Sequence, residues 1–442
     1  MIKKNEEYIV NIIDNGSNGE GICKIDEFTI FVNGAIKEEK CRIKIVKVNK
    51  TFGYGKLLEI IEASPNRVVP DCVSYKKCGG CNLRHINYEY TLKMKRDIIQ
   101  NLVNKTLDNK IQVEETIGMD KPKYYRNKAI FPVKKIDGKK AVGIFASRSH
   151  EVIEFEECKI QNLEAQQIAK YIIKNWVGTI YDEQTHTGTL RNIMIRVGSI
   201  SKEVMVVLVT NGMIEYDTKE LIKEFPNIKT IIINDNHEIT NVVLSNINKI
   251  IYGDGVIYDN LNEFRFQISP NSFFQVNSAQ TIKMYDEAIK LAELKSTDEI
   301  CDLYCGIGTI SIFASKYVKK VYGIEIVHSS IENAKINLKI NNINNVEFIE
   351  GDVEIAFDDF IKRGIKIDAV IVDPPRKGLD NKTIENLINT KPKKIVYVSC
   401  NPATLVRDLH MLENTFNIKQ IKPIDNFPYT NHVECVCLLK LK

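Results

Sequence analysis

The stretch Asp302-Leu303-Tyr304-Cys305-Gly306-Ile307-Gly308-Thr309 decides the fold of the C-terminal part of this chain. An apolar run over residues 299–304 ends inside this stretch, and a helical pattern begins at Ile310. Glycines at such a place let the backbone turn tightly from a strand into a helix and approach a ligand closely. The stretch therefore predicts the first strand, loop and helix of an open α/β domain with a Rossmann-like sheet.

Strand and helix patterns alternate after residue 275, which indicates a parallel sheet with helical crossovers. The further candidate strands are residues 321–326, 347–350, 369–373 and 395–399. Two last apolar runs, residues 418–424 and 432–441, are joined by a link that is too short for a crossover helix. We therefore expect these two runs to pair antiparallel at one edge of the sheet.

The rest of the chain is predicted to contain an independent N-terminal module and a β-rich middle region. Residues 6–61 alternate short apolar runs with Gly, Asn and Asp turns, as a small OB-like all-β barrel does. A helical pattern covers residues 90–107, and Pro122 and Pro132 are interpreted as breakers in the stretch that follows. Strands are predicted in the middle region at residues 192–198, 204–209, 230–234 and 264–268.

Composition excludes several classes of protein. The chain has 442 residues, of which 44% are hydrophobic and 27% charged, as in folded soluble proteins of two or three domains. No run approaches the roughly 18 consecutive apolar residues of a membrane span, and the first residues lack the apolar stretch of a signal peptide. The expected location is therefore cytoplasmic. Its odd number of cysteines, 11, favours reduced thiols, metal ligands or a nucleophile over a disulfide framework.

Positive charge is concentrated in one region of the sequence. The formal net charge of +4 says little about partners, but residues 71–150 hold 17 Lys and Arg against 8 Asp and Glu. Tyr124, Tyr125 and Phe131 lie among these charges. This composition is expected of a surface that binds a polyanion such as RNA, and a solvated lysine-rich face is the alternative.

An acidic residue follows the glycine loop at the spacing of an adenosyl site. Glu325 ends the second strand 23 residues after Asp302, where a carboxylate can accept hydrogen bonds from both ribose hydroxyls. Asp352 ends the third strand, where an adenine amino group could be recognised. Position 311 is Ser, so the third glycine of a nicotinamide fingerprint is missing, and S-adenosylmethionine is favoured over NAD. A tight turn without a ligand remains the alternative.

The fifth strand ends in a thiol, Cys400, at the edge of the sheet where open α/β folds bind ligands. The fourth strand ends in Asp373-Pro374-Pro375-Arg376, where enzymes that methylate exocyclic amines carry an aromatic residue in place of Arg376. A thiol beside an adenosyl site suits methylation of a pyrimidine at carbon 5, because thiolate addition at carbon 6 makes carbon 5 nucleophilic. Cys400 is therefore the candidate nucleophile, with burial in the core as the alternative.

Glu434 is the candidate base of the same reaction. It lies inside the apolar run His432-Val433-Glu434-Cys435-Val436-Cys437, where a carboxylate is costly unless it is used or paired. A base must remove the carbon 5 proton before the thiol can leave. A structural ion pair is the alternative role. The cysteines at 301, 305, 435 and 437 are interpreted as core residues.

Four cysteines are spaced as ligands of a metal centre. Cys72, Cys78 and Cys81 form a Cys-x5-Cys-x2-Cys pattern, and Cys158 supplies a plausible fourth thiolate. Four thiolates suit zinc or an iron-sulfur cluster, and the spacing does not choose between them. A radical enzyme that cleaves S-adenosylmethionine needs an open iron, whereas a fourth cysteine favours a closed site. A non-catalytic RNA-binding factor is the remaining class, disfavoured by Cys400 and Glu434.

Taken together in this order, the motifs resemble the RNA 5-methyluridine methyltransferases, the family of the bacterial 23S rRNA uridine methyltransferases and their tRNA relatives. The matching segments are Pro70-Asp71-Cys72, Cys78-Gly79-Gly80-Cys81, Tyr125-Arg126-Asn127-Lys128, residues 269–275, residues 302–309, residues 373–378, residues 399–402 and His432-Val433-Glu434. The N-terminal barrel resembles a TRAM domain, although its residues 1–61 are nearly balanced in charge, with 10 Lys and Arg against 9 Asp and Glu.

The resemblance implies roles for named residues. S-adenosylmethionine contacts are implied for Gln275, Tyr304, Glu325 and Asp373, with Cys400 as nucleophile and Glu434 as base. A 4Fe-4S cluster is implied for Cys72, Cys78, Cys81 and Cys158.

The resemblance also implies a division into three domains. They are a TRAM-like RNA-binding domain over residues 1–61, an iron-sulfur and RNA-binding domain over residues 62–83 and 116–270, and a methyltransferase domain over residues 84–115 and 271–442. The implied partner is RNA, with 23S rRNA preferred and the tRNA T-loop as the alternative. Neither a membrane nor a protein partner is implied.

Overall fold

The computed structural model describes residues 2–147 and 149–442. Its N-terminal part is a six-stranded sheet in the order β1-β5-β6-β4-β3-β2. The strands are β1 (Glu7–Asn11), β2 (Asp14–Asn15), β3 (Gly21–Ile25), β4 (Phe28–Asn33), β5 (Lys40–Val48) and β6 (Phe52–Glu62). Alternate residues such as Ile30, Val32, Ile43 and Ile45 are buried in a small core of their own. The predicted all-β N-terminal module is confirmed.

Helix α1 (Tyr88–Thr106) packs against the C-terminal part of the chain. Its N-cap is Asn87, whose side chain accepts a hydrogen bond from the Glu89 N–H at 2.9 Å. Ile99 and Val103 on its buried face belong to the same hydrophobic core as the strands of the C-terminal sheet. This packing anchors a short early segment on a domain that otherwise lies far along the sequence.

The middle of the chain forms a seven-stranded sheet in the order β13-β12-β11-β10-β7-β8-β9. Its elements are β7 (Lys128–Ile136), β8 (Lys139–Phe145), β9 (Val152–Glu154), α2 (Leu163–Asn175), β10 (Leu190–Val197), β11 (Val204–Thr210), α3 (Lys219–Glu224), β12 (Ile228–Asp235) and β13 (Asn248–Tyr252). The interpretation of Pro132 as a breaker is wrong, because Pro132 lies within β7. Pairing of β7 with β10 ends at Pro132 and pairing with β8 begins at Val133, so the missing N–H falls between two ladders.

The C-terminal part is the predicted α/β sheet, and its seven strands lie in the order β18-β17-β16-β19-β20-β22-β21. A hairpin precedes it, formed by β14 (Ile257–Leu261) and β15 (Phe264–Ile268). The seven-stranded sheet and its helices comprise α4 (Ser278–Ala292), β16 (Glu299–Leu303), α5 (Thr309–Ala314), a 3-10 turn (Ser315–Tyr317), β17 (Lys320–Glu325), α6 (His328–Ile340), β18 (Val346–Glu350), α7 (Val353–Lys362), β19 (Ala369–Val372), α8 (Asn381–Thr390), β20 (Lys394–Ser399), α9 (Pro402–Leu412), β21 (Phe416–Ile424) and β22 (Glu434–Leu441).

Pairing within this sheet brings its functional ends to one edge. Strands β16 to β20 are parallel to their neighbours, whereas β22 is antiparallel to both β20 and β21, which confirms the predicted antiparallel edge. Two hydrophobic cores cover the two faces of the sheet. The carboxyl ends of the parallel strands and the start of β22 therefore lie at the same edge. Among the described residues, the helices are too short or too polar to cross a membrane.

Candidate active site

A cleft of about 640 Å³ opens at the carboxyl edge of the C-terminal sheet. The loops that follow β16, β17, β19 and β20 line it, together with the segment before α4 and the start of β22. The sequence-predicted residues that it brings together are Gln275, Tyr304, Glu325, Asp373, Cys400 and Glu434. All six predicted cofactor and catalytic positions therefore share one cleft.

The glycine loop after β16 is built for a tight turn beside open space. Gly306 and Gly308 have φ of 55° and 81°, in the left-handed region that favours glycine. A Cβ at Gly308 would lie 2.4 Å from the Phe348 ring, so packing alone excludes a side chain there. A Cβ at Gly306 would meet no atom within 4 Å, because Gly306 faces the cleft. The space at Gly306 is where a ligand can approach the backbone.

Glu325 is held in place by two backbone groups. The Gly306 N–H donates to Glu325 Oε2 at 3.1 Å, and the Val327 N–H donates to Oε1 at 2.9 Å. These bonds fix the carboxylate at the end of β17, directly across from the glycine loop. A fixed acceptor pair at this place fits the two hydroxyls of a ribose.

Two carboxyls with raised pKa values lie near the glycine loop: Asp302 is fully buried, and Asp373 is partly buried and lines the cleft. Burial raises the pKa of Asp302 to about 7, and it raises the pKa of Asp373, which also feels the charge of Asp302, to about 7. The Ser311 hydroxyl donates to Asp302 Oδ2 at 2.6 Å. Ser311, where the glycine of a nicotinamide fingerprint is missing, thus has a structural role that the sequence did not reveal.

Tyr304 and Asp352 are placed by contacts within the fold. Tyr304 has a φ of 66°, a left-handed conformation that is strained for a tyrosine, and its hydroxyl donates to Asp380 Oδ2 at 3.1 Å. Asp352 was expected to recognise adenine, but it is not among the described residues that line the cleft. Its side chain instead caps α7 by accepting a hydrogen bond from the Glu354 N–H at 2.8 Å.

Strand pairing brings Cys400 and Glu434 together. Ser399 of β20 pairs with Cys435 of β22 in an antiparallel ladder. Cys400 directly follows Ser399 and Glu434 directly precedes Cys435, so the two residues lie next to the same pair on neighbouring strands. Glu434 is only 3% exposed, and burial raises its pKa to about 8, with a further contribution from the charge of Asp373. Burial raises the pKa of Cys400 to about 11, and the nearby Glu434 adds to this rise.

Arg376 is a cleft residue whose role the sequence did not reveal. Its positive charge opposes the rise in the pKa of both Cys400 and Glu434, so it favours their ionised forms. The Arg376 carbonyl accepts hydrogen bonds from Asn401 Nδ2 at 3.0 Å and from Thr404 Oγ1 at 3.2 Å, which ties it to the loop that carries Cys400. In the sequence, its position after Pro375 distinguishes this chain from amine methyltransferases but does not indicate a role in the cleft.

The four predicted ligand cysteines line a second pocket of about 220 Å³, called here the cysteine pocket. Cys72, Cys78, Cys81 and Cys158 all face it. One zinc ion with Zn–S bonds of about 2.3 Å would bring its sulfur atoms to within about 3.8 Å of one another. Among the described residues, however, no three of these sulfur atoms lie within 4.8 Å of one another. The spacing of the thiols is wider than a single ion requires.

Buried positive charge faces the cysteine pocket. Arg84 is 2% exposed, and its Nε and Nη2 atoms have no hydrogen-bond partner among the described residues. The Nε of Arg126, which also lines the pocket, is likewise buried without a partner there. Burial raises the pKa of Cys81 to about 11, and the charge of Arg84 opposes that rise. Unpartnered donors around four thiols fit a bound group of negative charge.

Four lysines of the basic region over residues 71–150 lie on a hairpin at the surface. Lys134, Lys135, Lys139 and Lys140 are exposed on the hairpin formed by β7 and β8, where Lys135 pairs with Lys140. Tyr125 is buried, and its hydroxyl donates to the Pro428 carbonyl at 3.1 Å. Lys134, Lys135 and Lys139 are thus free to meet an anionic surface, whereas Lys140 Nζ donates to the Trp176 carbonyl at 2.5 Å and Tyr125 serves the packing.

The seven-stranded α/β sheet with its antiparallel strand β22, together with the glycine loop, defines a class I methyltransferase fold. Similarity to a solved structure supports this class: the tRNA (uracil-54, C5)-methyltransferase of Pyrococcus abyssi, in complex with S-adenosyl-L-homocysteine, matches with a TM-score of 0.80 and 28% sequence identity. The match covers 98% of this chain and 100% of that chain.

The family is fixed by two sequence matches. Residues 87–442 match the family described as tRNA (Uracil-5-)-methyltransferase, and residues 3–58 match the TRAM domain. The chain belongs to this family of S-adenosylmethionine-dependent RNA uracil-C5 methyltransferases, which confirms the resemblance described above. Two similar relatives are named uncharacterized RNA methyltransferases. The one from Oceanobacillus iheyensis is 43% identical, covering 100% of this chain and 98% of the relative, and the one from Clostridium acetobutylicum is 46% identical, covering 99% and 98%.

Proposed function

We propose that this protein methylates carbon 5 of a uridine in 23S rRNA, with Cys400 as nucleophile and Glu434 as base. The observation that carries the proposal is that one cleft holds a thiol and a buried carboxyl beside the glycine loop and Glu325. Uridine carbon 5 is a poor nucleophile, and this pair of groups solves that problem by covalent catalysis. The sequence matches to the uracil-C5 family support the same reaction.

The chain's own residues perform the steps on the uridine. The Cys400 thiolate adds to carbon 6 and makes carbon 5 nucleophilic, and Arg376 favours the thiolate by its charge. S-adenosylmethionine, when bound, supplies the methyl group as an electrophile. Gln275, Tyr304, Glu325 and Asp373 would hold it, since all of them line the cleft.

Glu434 completes the reaction by accepting the carbon 5 proton, after which the bond between Cys400 and carbon 6 breaks by elimination. The pKa of Glu434 lies near 8, so the group exchanges a proton readily close to neutral pH. Its burial also shields the covalent species from water.

We prefer 23S rRNA because a TRAM domain together with a cysteine pocket resembles the rRNA branch of the family. A tRNA T-loop uridine is the second candidate, supported by the similarity to the Pyrococcus abyssi tRNA enzyme. Incubation with methyl-labelled S-adenosylmethionine and either unmodified 23S rRNA or unmodified tRNA, followed by nucleoside analysis, distinguishes the two. 5-Methyluridine in the rRNA alone supports the first candidate, whereas 5-methyluridine in the tRNA alone contradicts it.

The domain division is part of the proposal. A TRAM-like domain over residues 1–61 and a split central domain over residues 62–83 and 116–270 bind RNA, and residues 84–115 and 271–442 carry the methyltransferase cleft. The packing of Ile99 and Val103 against the C-terminal sheet supports the assignment of α1 to the methyltransferase domain.

Cys72, Cys78, Cys81 and Cys158 are further proposed to bind a 4Fe-4S cluster that takes no part in methyl transfer. The wide spacing of the sulfur atoms and the unpartnered donors of Arg84 support a cluster over zinc. Protein purified without oxygen is expected to be brown, with about four irons per chain by metal analysis. Stoichiometric zinc without iron would contradict this assignment.

The exposed lysines of the hairpin are proposed to hold the RNA backbone. Changing Lys134, Lys135, Lys139 and Lys140 together to Gln removes four positive charges from this face. RNA affinity is expected to fall at least tenfold at low salt, with a shallower dependence of affinity on salt, because fewer counterions are released. Binding titrations at several salt concentrations measure both quantities. Matched replacement of four exposed lysines elsewhere, Lys362, Lys366, Lys391 and Lys442, is the control, and equal effects in both variants would show that the hairpin is merely solvated.

A further inference from the structure

Residues 425–431, called here the junction loop, connect β21 to the strand that carries Glu434. Phe427 of this loop lines the active cleft, as does His432 immediately after it. The two rings pack edge to face with 5.9 Å between their centres. The conformation of the junction loop therefore determines part of the wall of the cleft.

One end of the junction loop is anchored on α1 and α4. The buried Asp425 accepts hydrogen bonds from Lys95 Nζ at 2.5 Å and from the Tyr88 hydroxyl at 2.8 Å. The Asn426 carbonyl accepts a hydrogen bond from Asn277 Nδ2 at 3.0 Å. Both anchors lie inside the methyltransferase part of the chain, so this end does not depend on the cysteine pocket.

The other end of the junction loop is held by the residues that follow Cys81. The N–H groups of Asn82 and Leu83 both donate to the Tyr429 carbonyl, at 3.2 and 3.0 Å. Asn82 Oδ1 accepts from the Asn431 N–H at 2.9 Å, and Asn82 Nδ2 donates to Asn431 Oδ1 at 3.0 Å. Asn82 Nδ2 also donates to the Asn18 carbonyl of the N-terminal sheet region at 2.8 Å.

Arg84 links the same loop to the cysteine pocket by a different contact. Its guanidinium lies 4.1 Å from the centre of the Tyr429 ring and also faces the four cysteines. Asp71 neutralises only part of this group, since it accepts a hydrogen bond from Nη1 at 2.7 Å and leaves the other two nitrogens unpartnered among the described residues. Arg84 is therefore shared between the pocket and the ring of Tyr429.

We propose that Asn82 and Arg84 are positioning residues that couple the state of the cysteine pocket to the active cleft through the junction loop. The inference rests on the proposed function in that it takes the pocket to bind a cluster through Cys81. A group held by Cys81 fixes the backbone on which Asn82, Leu83 and Arg84 lie. Its negative charge also holds the Arg84 guanidinium at the position where it stacks on Tyr429.

Loss of the bound group is expected to loosen the junction loop locally. The contacts to Tyr429 and Asn431 weaken, whereas the pairing of Asp425 with Lys95 remains. Phe427 and His432 then sample other positions, and the uridine is held less well against Cys400. The cysteine pocket thus affects methylation only indirectly, through the position of the junction loop, and the cluster itself takes no part in methyl transfer.

Hydrogen exchange in the full chain tests the coupling directly. In Asn82→Ala and in Arg84→Met, amide exchange over residues 425–432 is expected to be about tenfold faster than in wild type. The single-turnover methylation rate should fall about tenfold, with the affinity for S-adenosylmethionine within twofold of wild type. The matched controls Asn175→Ala and Arg363→Met remove an exposed asparagine and an exposed arginine, and they should change neither quantity. Unchanged exchange over residues 425–432 in Asn82→Ala would overturn the proposal, and that variant alone decides the test if Arg84→Met does not fold.

Removal of iron by a chelator completes the test. In wild type it should speed exchange over residues 425–432, whereas in the double variant Asn82→Ala, Arg84→Met it should add nothing, because the connection is already broken. An equal increase in both proteins would show that the coupling runs through other residues. If the purified protein contains no iron, the cluster proposal fails, whereas the exchange comparison between Asn82→Ala and Asn175→Ala still decides whether Asn82 positions the loop.

Discussion

Cys400→Ala is expected to lower the methylation rate by a factor on the order of 10⁴ or more, with RNA and S-adenosylmethionine still bound. Without the thiol no bond forms at carbon 6, so carbon 5 stays a poor nucleophile whatever the methyl donor. The side chain is only half-buried at the edge of the sheet, so its loss leaves little cavity and should not disturb the fold. Methylation rates under single-turnover conditions and binding titrations measure the two effects separately.

Cys437→Ala is the matched control for the loss of a thiol. Cys437 is fully buried within β22, only three positions beyond Glu434, and it lies outside the cleft. Its replacement should lower the melting temperature but keep the methylation rate within about twofold. Residual methylation by Cys400→Ala above about one per cent of wild type, or a covalent RNA adduct formed by that variant, would contradict the role of Cys400.

The parallel sheet and its antiparallel edge could be predicted because local patterns decide them. Apolar strand runs and helical runs alternate after residue 275, and parallel strands place all their carboxyl ends at one edge. Cys400 and Asp373 each end a strand, so their meeting in one cleft follows from topology alone. Glu434 joins them because the last strand runs antiparallel, which the short link already required.

Contacts between distant segments could not be predicted, since no local pattern encodes them. Ser311 was read as a missing glycine, yet its hydroxyl serves the buried Asp302. The contacts of Asn82 with Asn431 join positions 349 residues apart, and neither side chain carries any signal of the other in the sequence.

Glu434→Gln is expected to trap the reaction after methyl transfer. Glutamine keeps the shape of the side chain but cannot accept the carbon 5 proton, so Cys400 adds and the methyl group transfers while elimination stalls. The variant should accumulate a covalent protein-RNA species that already carries the methyl group. A denaturing gel with labelled S-adenosylmethionine detects this species as a shifted, labelled band, and overall turnover should fall by a factor on the order of 10³.

The pH dependence of elimination separates a base from a merely structural carboxyl. The folded pKa of Glu434 is raised to about 8, so its proton-accepting form is lost as pH falls below 8. Decay of preformed adduct in wild type should therefore slow by up to about tenfold per pH unit below 8, whereas in Glu434→Gln it should be slow at every pH. Glu413→Gln, which changes an equally buried carboxyl on the far side of α9, should decay as wild type does. A structural role for Glu434 predicts the opposite pattern, with normal decay of the adduct and no labelled band in Glu434→Gln, because the carboxyl would then contribute to packing and not to proton removal.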